Sequence, residues 1–320
     1  LEPSFDPAEL EQIRLAPMTS GTPSPPAPAP LSQAAQLALL PLSVIATIGN
    51  PGTAQLTAAM QRRSELPPAL REAAHSPQDA LAVVLAVVLS RETLTRERQI
   101  AHLRTRIKLA PDAFARLEAL ASHGARLAPA LRLPLLEIAF PALRQRPPEQ
   151  LRALAILVDE LLRLDGQVSV LDYALGRLLR VQLSEALTPR AGRPSQRAPK
   201  LHALRTETQT LFVVMARAGH DDERSARAAF DAGMRRLLPM APPDYVTPSV
   251  NEASVTIAAL DHALSRLDAL PPAIKQALIE ALVLTIAHDR QVTLGEAELL
   301  RVVCASLHCP LPPLVADAAD

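Results

Sequence analysis

The stretch Asp165–Asp172, DGQVSVLD, recurs along the chain as Asp289–Glu296, DRQVTLGE. The similarity continues downstream at one constant offset, pairing Leu175, Arg177, Leu178, Leu179 and Leu183 with Leu299, Arg301, Val302, Val303 and Leu307. In each copy an apolar helix leads into an acidic turn, and a second helix begins after Ser169 or Thr293. The repeat therefore predicts an all-α fold in which two helix-turn-helix units pack as a pseudo-two-fold pair.

The composition also favours packed helices. Apolar residues make up 48% of the 320 residues, but aromatic residues make up only 2%, and Trp is absent. A core of Leu, Ala, Val and Ile suits packed helices better than a β-sandwich or barrel. The 10 glycines are too few for many tight hairpins, and the 31 prolines cluster between helical segments. No segment shows the strict alternation that is typical of a strand.

Charge and cysteine usage exclude several classes of function. The 33 Lys and Arg residues balance 33 Asp and Glu residues, and few aromatic side chains are present to stack on bases, so no nucleic-acid partner is expected. Two cysteines do not make a secreted disulfide framework. No stretch reaches the roughly 18 apolar residues of a membrane span, and no signal peptide is present.

Proline-rich segments predict the domain organisation. Residues 1–15 form the tail of a preceding domain, 16–30 a Pro-rich linker, 31–187 a helical domain that contains the first repeated unit (148–187), 188–200 a basic linker, and 201–320 a second helical domain that contains the second unit (271–309). The basic linker could contact anionic lipid, but cations spread from Arg190 to Arg205 are more typical of a solvated segment. We also expect a helix end at Gly124 and a kink or break at Pro134 and Pro141.

The acids of the two turns are the first candidate site. Asp165, Asp172, Asp289 and Glu296 are candidate metal ligands, because hard divalent cations prefer clustered carboxylates. The alternative is local, because Ser169–Asp172 and Thr293–Glu296 both match a capping box, in which side chain and backbone bond reciprocally at a helix start. Capping is the favoured interpretation, since it requires no partner helix. A calcium EF-hand is not expected, because Leu161 and Arg163 occupy the earlier ligand positions.

A second candidate group lies in the last helix. Cys304 and His308 are four residues apart, and Cys309 is adjacent. This spacing suits either part of a zinc site or a thiol nucleophile with a histidine base. The neighbouring residues Val302, Val303 and Leu307 instead indicate an ordinary buried helix, so a core cysteine near a histidine is the favoured interpretation.

The two copies of the repeat resemble a known helical module. The sequences LAILVDELLRLDGQVSVLDYALGRLL (154–179) and LIEALVLTIAHDRQVTLGEAELLRVVCASL (278–307) resemble TerB-like, tellurite-resistance modules. In those modules an apolar helix ends in an acidic turn, and the next helix starts with Ser or Thr and an acid. The second copy departs from this pattern at Arg290, which stands where Gly166 sits in the first.

A wider resemblance covers the N-terminal part of the chain. LEPSFDPAEL (1–10) is similar to the segment that ends the catalytic domain of HtpX-like, membrane-anchored zinc metallopeptidases. Residues 48–90 and RERQIAHL (96–103) are similar to the long helical C-terminal region of some bacterial members. The family places a zinc-binding HExxH helix and transmembrane segments upstream. None of the eight histidines of this chain forms an HExxH pair, so no catalytic residue can be assigned here.

The resemblance implies that this chain is the non-catalytic part of a longer protease. The zinc would belong to the upstream peptidase domain, which would itself be a partner together with protein substrates or partner subunits. The location implied is the cytoplasmic side of the inner membrane. The sequence thus predicts a regulatory or interaction region of a membrane-bound zinc metalloendopeptidase. The alternatives are a stand-alone, cytoplasmic TerB-like scaffold that binds a divalent cation and a free-standing enzyme based on Cys304.

Overall fold

The computed structural model describes residues 52–164, 168–188, 198–220, 222–240 and 255–312. All regular structure within these ranges is helical, which confirms the predicted all-α class. The helices divide between two compact units, Ala58–Ala191 and a second unit that includes Gly192–Asp320. The two repeated turns belong to different units, and the predicted pseudo-two-fold pairing stays a prediction.

The first unit is built from eight helices, the first of which begins just before it. They are α1 (Thr53–Glu65), α2 (Pro68–His75), α3 (Ala80–Val88), α4 (Thr93–Arg106), α5 (Pro111–Arg126), α6 (Pro129–Leu143), α7 (Pro148–Arg163) and α8 (Val170–Leu187). The short apolar helix α3 lies at the centre and packs mainly against α5 and α6. Seven of its residues are buried, including the run Val83–Val88. This burial outweighs the modest helix propensity of valine.

The second unit contains a 3₁₀ turn and five described helices. These are the turn Leu201–Leu204, then α9 (Arg205–Gly219), α10 (Glu223–Leu237), α11 (Ile257–Leu267), α12 (Pro272–Ile286) and α13 (Leu294–Ser306). Helix α9 packs against the other four. Its Phe212 meets Phe230 of α10 edge to face, with ring centroids 6.4 Å apart. Nearly every residue of α13 is buried, so this helix lies inside the unit.

Proline starts helices in this fold. Five described helices begin at a proline, namely α2, α5, α6, α7 and α12. The first residue of a helix needs no intrahelical N–H bond, and the fixed φ of proline suits this position. Part of the proline enrichment seen in the sequence therefore marks helix starts.

Of the kink or break predicted in α6 at Pro134 and Pro141, the break is wrong, and the kink stays a prediction. The helix runs without interruption through Pro134 and Pro141. An interior proline costs about 3 kcal/mol. Burial of a leucine contributes about 1.5–3 kcal/mol, and α6 buries Leu133, Leu135 and Leu136 within one turn. Packing on both sides of Pro134 therefore holds the chain helical.

The predicted helix end at Gly124 is also wrong, because α5 continues to Arg126. The glycine serves a different purpose. A Cβ at position 124 would lie 2.5 Å from the backbone oxygen of Ala86, so only glycine permits α5 to approach α3 this closely. Among the described helices, none is long and apolar enough to cross a membrane.

Candidate functional site at the second acidic turn

The structure describes three of the four predicted acids. Asp165 lies outside the described residues. Asp172 belongs to the first unit, whereas Asp289 and Glu296 belong to the second. Within the described ranges, no three His, Cys, Asp or Glu side chains are arranged to hold a metal ion. Divalent-cation binding at the turns stays a prediction.

Asp172 is a capped and paired carboxylate. The Ser169 Oγ accepts a hydrogen bond from the Asp172 N–H at 3.1 Å and donates to Asp172 Oδ2 at 2.6 Å. The other oxygen, Oδ1, accepts from the buried Arg132 Nη1 at 2.9 Å. Arg132 also donates to the carbonyl oxygens of Val87 and Leu89, at the end of α3. The charge of Asp172 is therefore matched by a cation of the same unit.

Glu296 occupies the corresponding place in the second unit, but its surroundings differ. Thr293 and Glu296 form a complete capping box at the start of α13. Glu296 Oε2 accepts from the Thr293 N–H at 2.8 Å and from Thr293 Oγ1 at 2.9 Å. The side chain is fully buried, and its Oε1 has no hydrogen-bond partner in the described structure. Unlike Asp172, Glu296 forms no ion pair with any residue that the structure describes.

The C-terminal end of α9 lies against the Glu296 side chain. A Cβ built on Gly219 would lie only 1.7 Å from Glu296 Oε1, so the carboxyl group rests directly on the glycine. The next residue, His220, is 3% exposed. Its Nδ1 lies 2.9 Å from the Ala216 carbonyl oxygen. Because a carbonyl can only accept, Nδ1 carries a proton, and the buried Nε2 has no hydrogen-bond partner in the part of the chain that the structure describes.

Two residues of the turn after α12 complete the site. The ring of His288 lies 6.1 Å from the ring of His220, centroid to centroid. Asp289 is exposed, and its Oδ1 accepts from the Gln291 N–H at 2.8 Å. The site thus combines a buried carboxyl, a buried imidazole and a second imidazole at the surface.

Burial changes the acidity of Glu296. It raises the pKa of the Glu296 carboxyl to about 7, the two hydrogen bonds from Thr293 oppose the shift, and the negative charge of Asp289 adds to it. A carboxyl with a pKa near 7 can exchange a proton under neutral conditions. The chemical capability of the site is therefore proton binding.

Sequence reasoning found Glu296 but missed Gly219 and His220. A glycine after a helical segment is typical of an ordinary helix end, and α9 does end at Gly219. Its second role, contact with a carboxyl that lies far along the chain, leaves no local signal. The buried His220 likewise has no motif around it.

The cysteine cluster does not form a site among the described residues. Cys304 is fully buried, and burial raises its pKa far above the ordinary value, which disfavours a nucleophilic thiolate. His308 points its Nδ1 at Asp268 Oδ1, 2.9 Å away, and Asp268 also accepts from Lys275 at 2.8 Å. Burial also raises the pKa of the half-buried Cys309 thiol. These contacts anchor the end of α13 within the unit.

A separate surface feature lies on α7 of the first unit. Ile156, Glu160 and Leu164 follow one another at four-residue spacing, which places them on one helical face. Ile156 is 58% exposed and Leu164 is 40% exposed. Glu160 Oε2 lies 2.8 Å from His102 Nε2 and also accepts a hydrogen bond from Arg106 of α4. Hydrogen bonds from Arg106 and then His102 lower its pKa to about 2. We call these three residues the α7 stripe.

No protein-family model, curated protein or solved structure matches this chain.

Proposed function

We propose that this chain is the non-catalytic regulatory and interaction region of a membrane-bound zinc metalloendopeptidase. Its role would be to present protein substrates, to join partner subunits or to tether the peptidase domain on the cytoplasmic side of the membrane. The resemblance of residues 1–10 and 48–103 to HtpX-like proteins supports the protease parentage. The packed helical units support a scaffold role, because such units offer firm surfaces for protein contacts.

The α7 stripe is the observation that carries the interaction role. Two apolar side chains flank a carboxylate whose position is fixed by His102 and Arg106. Exposed apolar side chains offer contact area to a partner, and the already paired carboxylate keeps a polar group between them without an unmatched charge. A complementary partner would present an apolar surface, such as an extended protein segment with Leu side chains.

The zinc of the proposed parent would lie outside this chain. The sequence has no HExxH pair, and no described group of three ligating side chains converges. The residues present therefore do not fit a catalytic zinc site, and no step of peptide hydrolysis is assigned to them.

The coding sequence upstream of Leu1 tests the protease parentage. We expect it to encode transmembrane segments and an HExxH helix in the same reading frame. A start codon close to Leu1, with neither feature before it, would remove the protease from the proposal. The helical units would then be a free-standing scaffold.

A further inference from the structure

The buried Glu296 carboxyl faces the end of a helix with one oxygen unpartnered. Its Oε2 is taken up by the capping box, whereas Oε1 rests on Gly219, the last residue of α9. No backbone N–H of the described residues caps this end of α9. The final carbonyl groups of a helix carry partial negative charge, so the end of α9 disfavours a neighbouring anion.

The protonated carboxyl fits this location better than the carboxylate. An ionised Glu296 is a buried charge without a cation, which is costly in a protein interior. A protonated Glu296 gains an O–H donor on the side of Oε1. Among the described residues, two buried acceptor atoms on the segments that meet here, Glu296 Oε1 and His220 Nε2, have no hydrogen-bond donor. This end of the unit is therefore short of donors, and a proton on Glu296 supplies one.

We propose that Glu296, packed against Gly219 at the end of α9, is a proton-binding site that makes the second unit responsive to pH. With the proton bound, the start of α13 is held against the end of α9. Loss of the proton leaves a buried anion at the contact and weakens it. The inference does not depend on the protease parentage, because every group involved lies in this chain.

The charges around Glu296 agree with this assignment. The titratable groups on the two segments that meet at Glu296 include His220, which follows Gly219, and His288 and Asp289 of the turn. Asp289 is the charged group that shifts the pKa of Glu296, and it does so upward. The other ionic groups of the packed helices include three pairs, which are Arg266 with Glu207, Lys275 with Asp268, and Arg236 with Glu280. Within α13 itself, Glu298 pairs with Arg301.

The expected pH dependence follows from proton linkage. An unfolded glutamate releases its proton near the ordinary pKa of 4.5, whereas native Glu296 releases it near 7. The native unit therefore holds more protons than the unfolded chain between these values, and its stability falls as the pH rises through this window. Above the native pKa the contribution is constant.

Hydrogen–deuterium exchange of the α13 amides tests the proposal locally. Protection factors, corrected for the intrinsic pH dependence of exchange, should fall roughly 100-fold between pH 5 and pH 7.5 in the wild-type chain. In Glu296→Gln, whose amide resembles the protonated acid, this fall should disappear. Equal pH dependence in the two proteins would overturn the proposal.

An infrared titration of the intact chain gives a second, direct measurement. The carboxylic-acid C=O band that is lost in Glu296→Gln should titrate with a midpoint near pH 7 in the wild type. The matched variant Asp289→Asn removes the neighbouring charge and should move the midpoint to lower pH. A wild-type spectrum in which no carboxylic-acid band titrates near pH 7 would contradict the proposal even if the glutamine variant failed to fold.

Discussion

Arg290 adopts a backbone conformation that glycine would adopt more easily. Its φ is 63°, in the left-handed region, and it stands where the first repeat has Gly166. The left-handed region costs a non-glycine residue roughly 1–2 kcal/mol. A glycine at this position would remove that cost. Part of the gain in stability would be offset, because glycine has greater conformational freedom in the unfolded chain. The second acidic turn is therefore strained at one residue.

We expect Arg290→Gly to stabilise the second unit by about 1 kcal/mol. The free energy of unfolding from urea titration measures the change. The matched control is Arg152→Gly on the exposed face of α7, where the same substitution should destabilise by about 1 kcal/mol. Destabilisation by both substitutions would show that the turn carries no strain of this kind.

Ionisation of the single residue Glu296 also destabilises the second unit. A shift of its pKa from 4.5 to about 7 corresponds to about 3 kcal/mol of destabilisation once the carboxyl is ionised. We expect Glu296→Gln to be more stable than the wild type at pH 8 but not at pH 4.5. Urea unfolding at the two pH values distinguishes this from a simple loss of the cap, which would cost about 1 kcal/mol at both.

At the scale of elements, close packing of α5 on α3 depends on Gly124. A Cβ there would meet the rigid backbone of Ala86 at 2.5 Å. We expect Gly124→Ala to lower the free energy of unfolding by about 2–3 kcal/mol, because neither helix can yield easily. Thermal or urea unfolding of the wild type and of Gly124→Ala measures this difference in the free energy of unfolding.

Gly176 in α8 is the control for this prediction. A Cβ at that position would meet the end of the Leu162 side chain, which can rotate away. Gly176→Ala should therefore have a smaller effect than Gly124→Ala. The reverse order would mean that α3 and α5 are not packed as described.

Arg132 ties three elements of the first unit together. It is buried on α6, reaches the carbonyl end of α3 and pairs with Asp172 of α8. We expect Arg132→Met to destabilise the unit by about 3 kcal/mol, since buried carbonyls and a carboxylate lose their donor. Arg104→Met, which removes an exposed pair with Glu118, should change stability by less than about 1 kcal/mol. Similar changes in stability for Arg132→Met and Arg104→Met would argue against this role of Arg132.

At the scale of the whole molecule, each unit has its own apolar core. The first unit buries residues from α2 to α8, whereas none of the α1 residues whose burial is described is buried. We expect residues 66–188, expressed alone, to give a helical circular-dichroism spectrum and to unfold cooperatively. A spectrum without helical bands, or a gradual loss of signal with urea, would contradict this expectation.

The repeated acidic turn shows what sequence can and cannot predict here. Capping is encoded within four residues, so Thr293 and Glu296 could be assigned to a helix start from the sequence. The unpartnered oxygen of Glu296 could not, because it depends on Gly219, which lies more than seventy residues earlier. The expected break at Pro134 and the expected helix end at Gly124 failed for the same reason, because tertiary packing decides whether each helix continues.

The most direct test of the proposed function uses the full-length parent protein with the double substitution Ile156→Asp and Leu164→Asp. We expect cleavage of a folded protein substrate to fall at least roughly tenfold, the loss expected when an apolar contact worth about 1.4 kcal/mol is removed. Cleavage of a short peptide substrate should be unchanged. The control Met240→Asp alters a side chain that is 95% exposed in the second unit and should affect neither substrate. Unchanged cleavage of the folded protein by the double variant would contradict an interaction role for the α7 stripe.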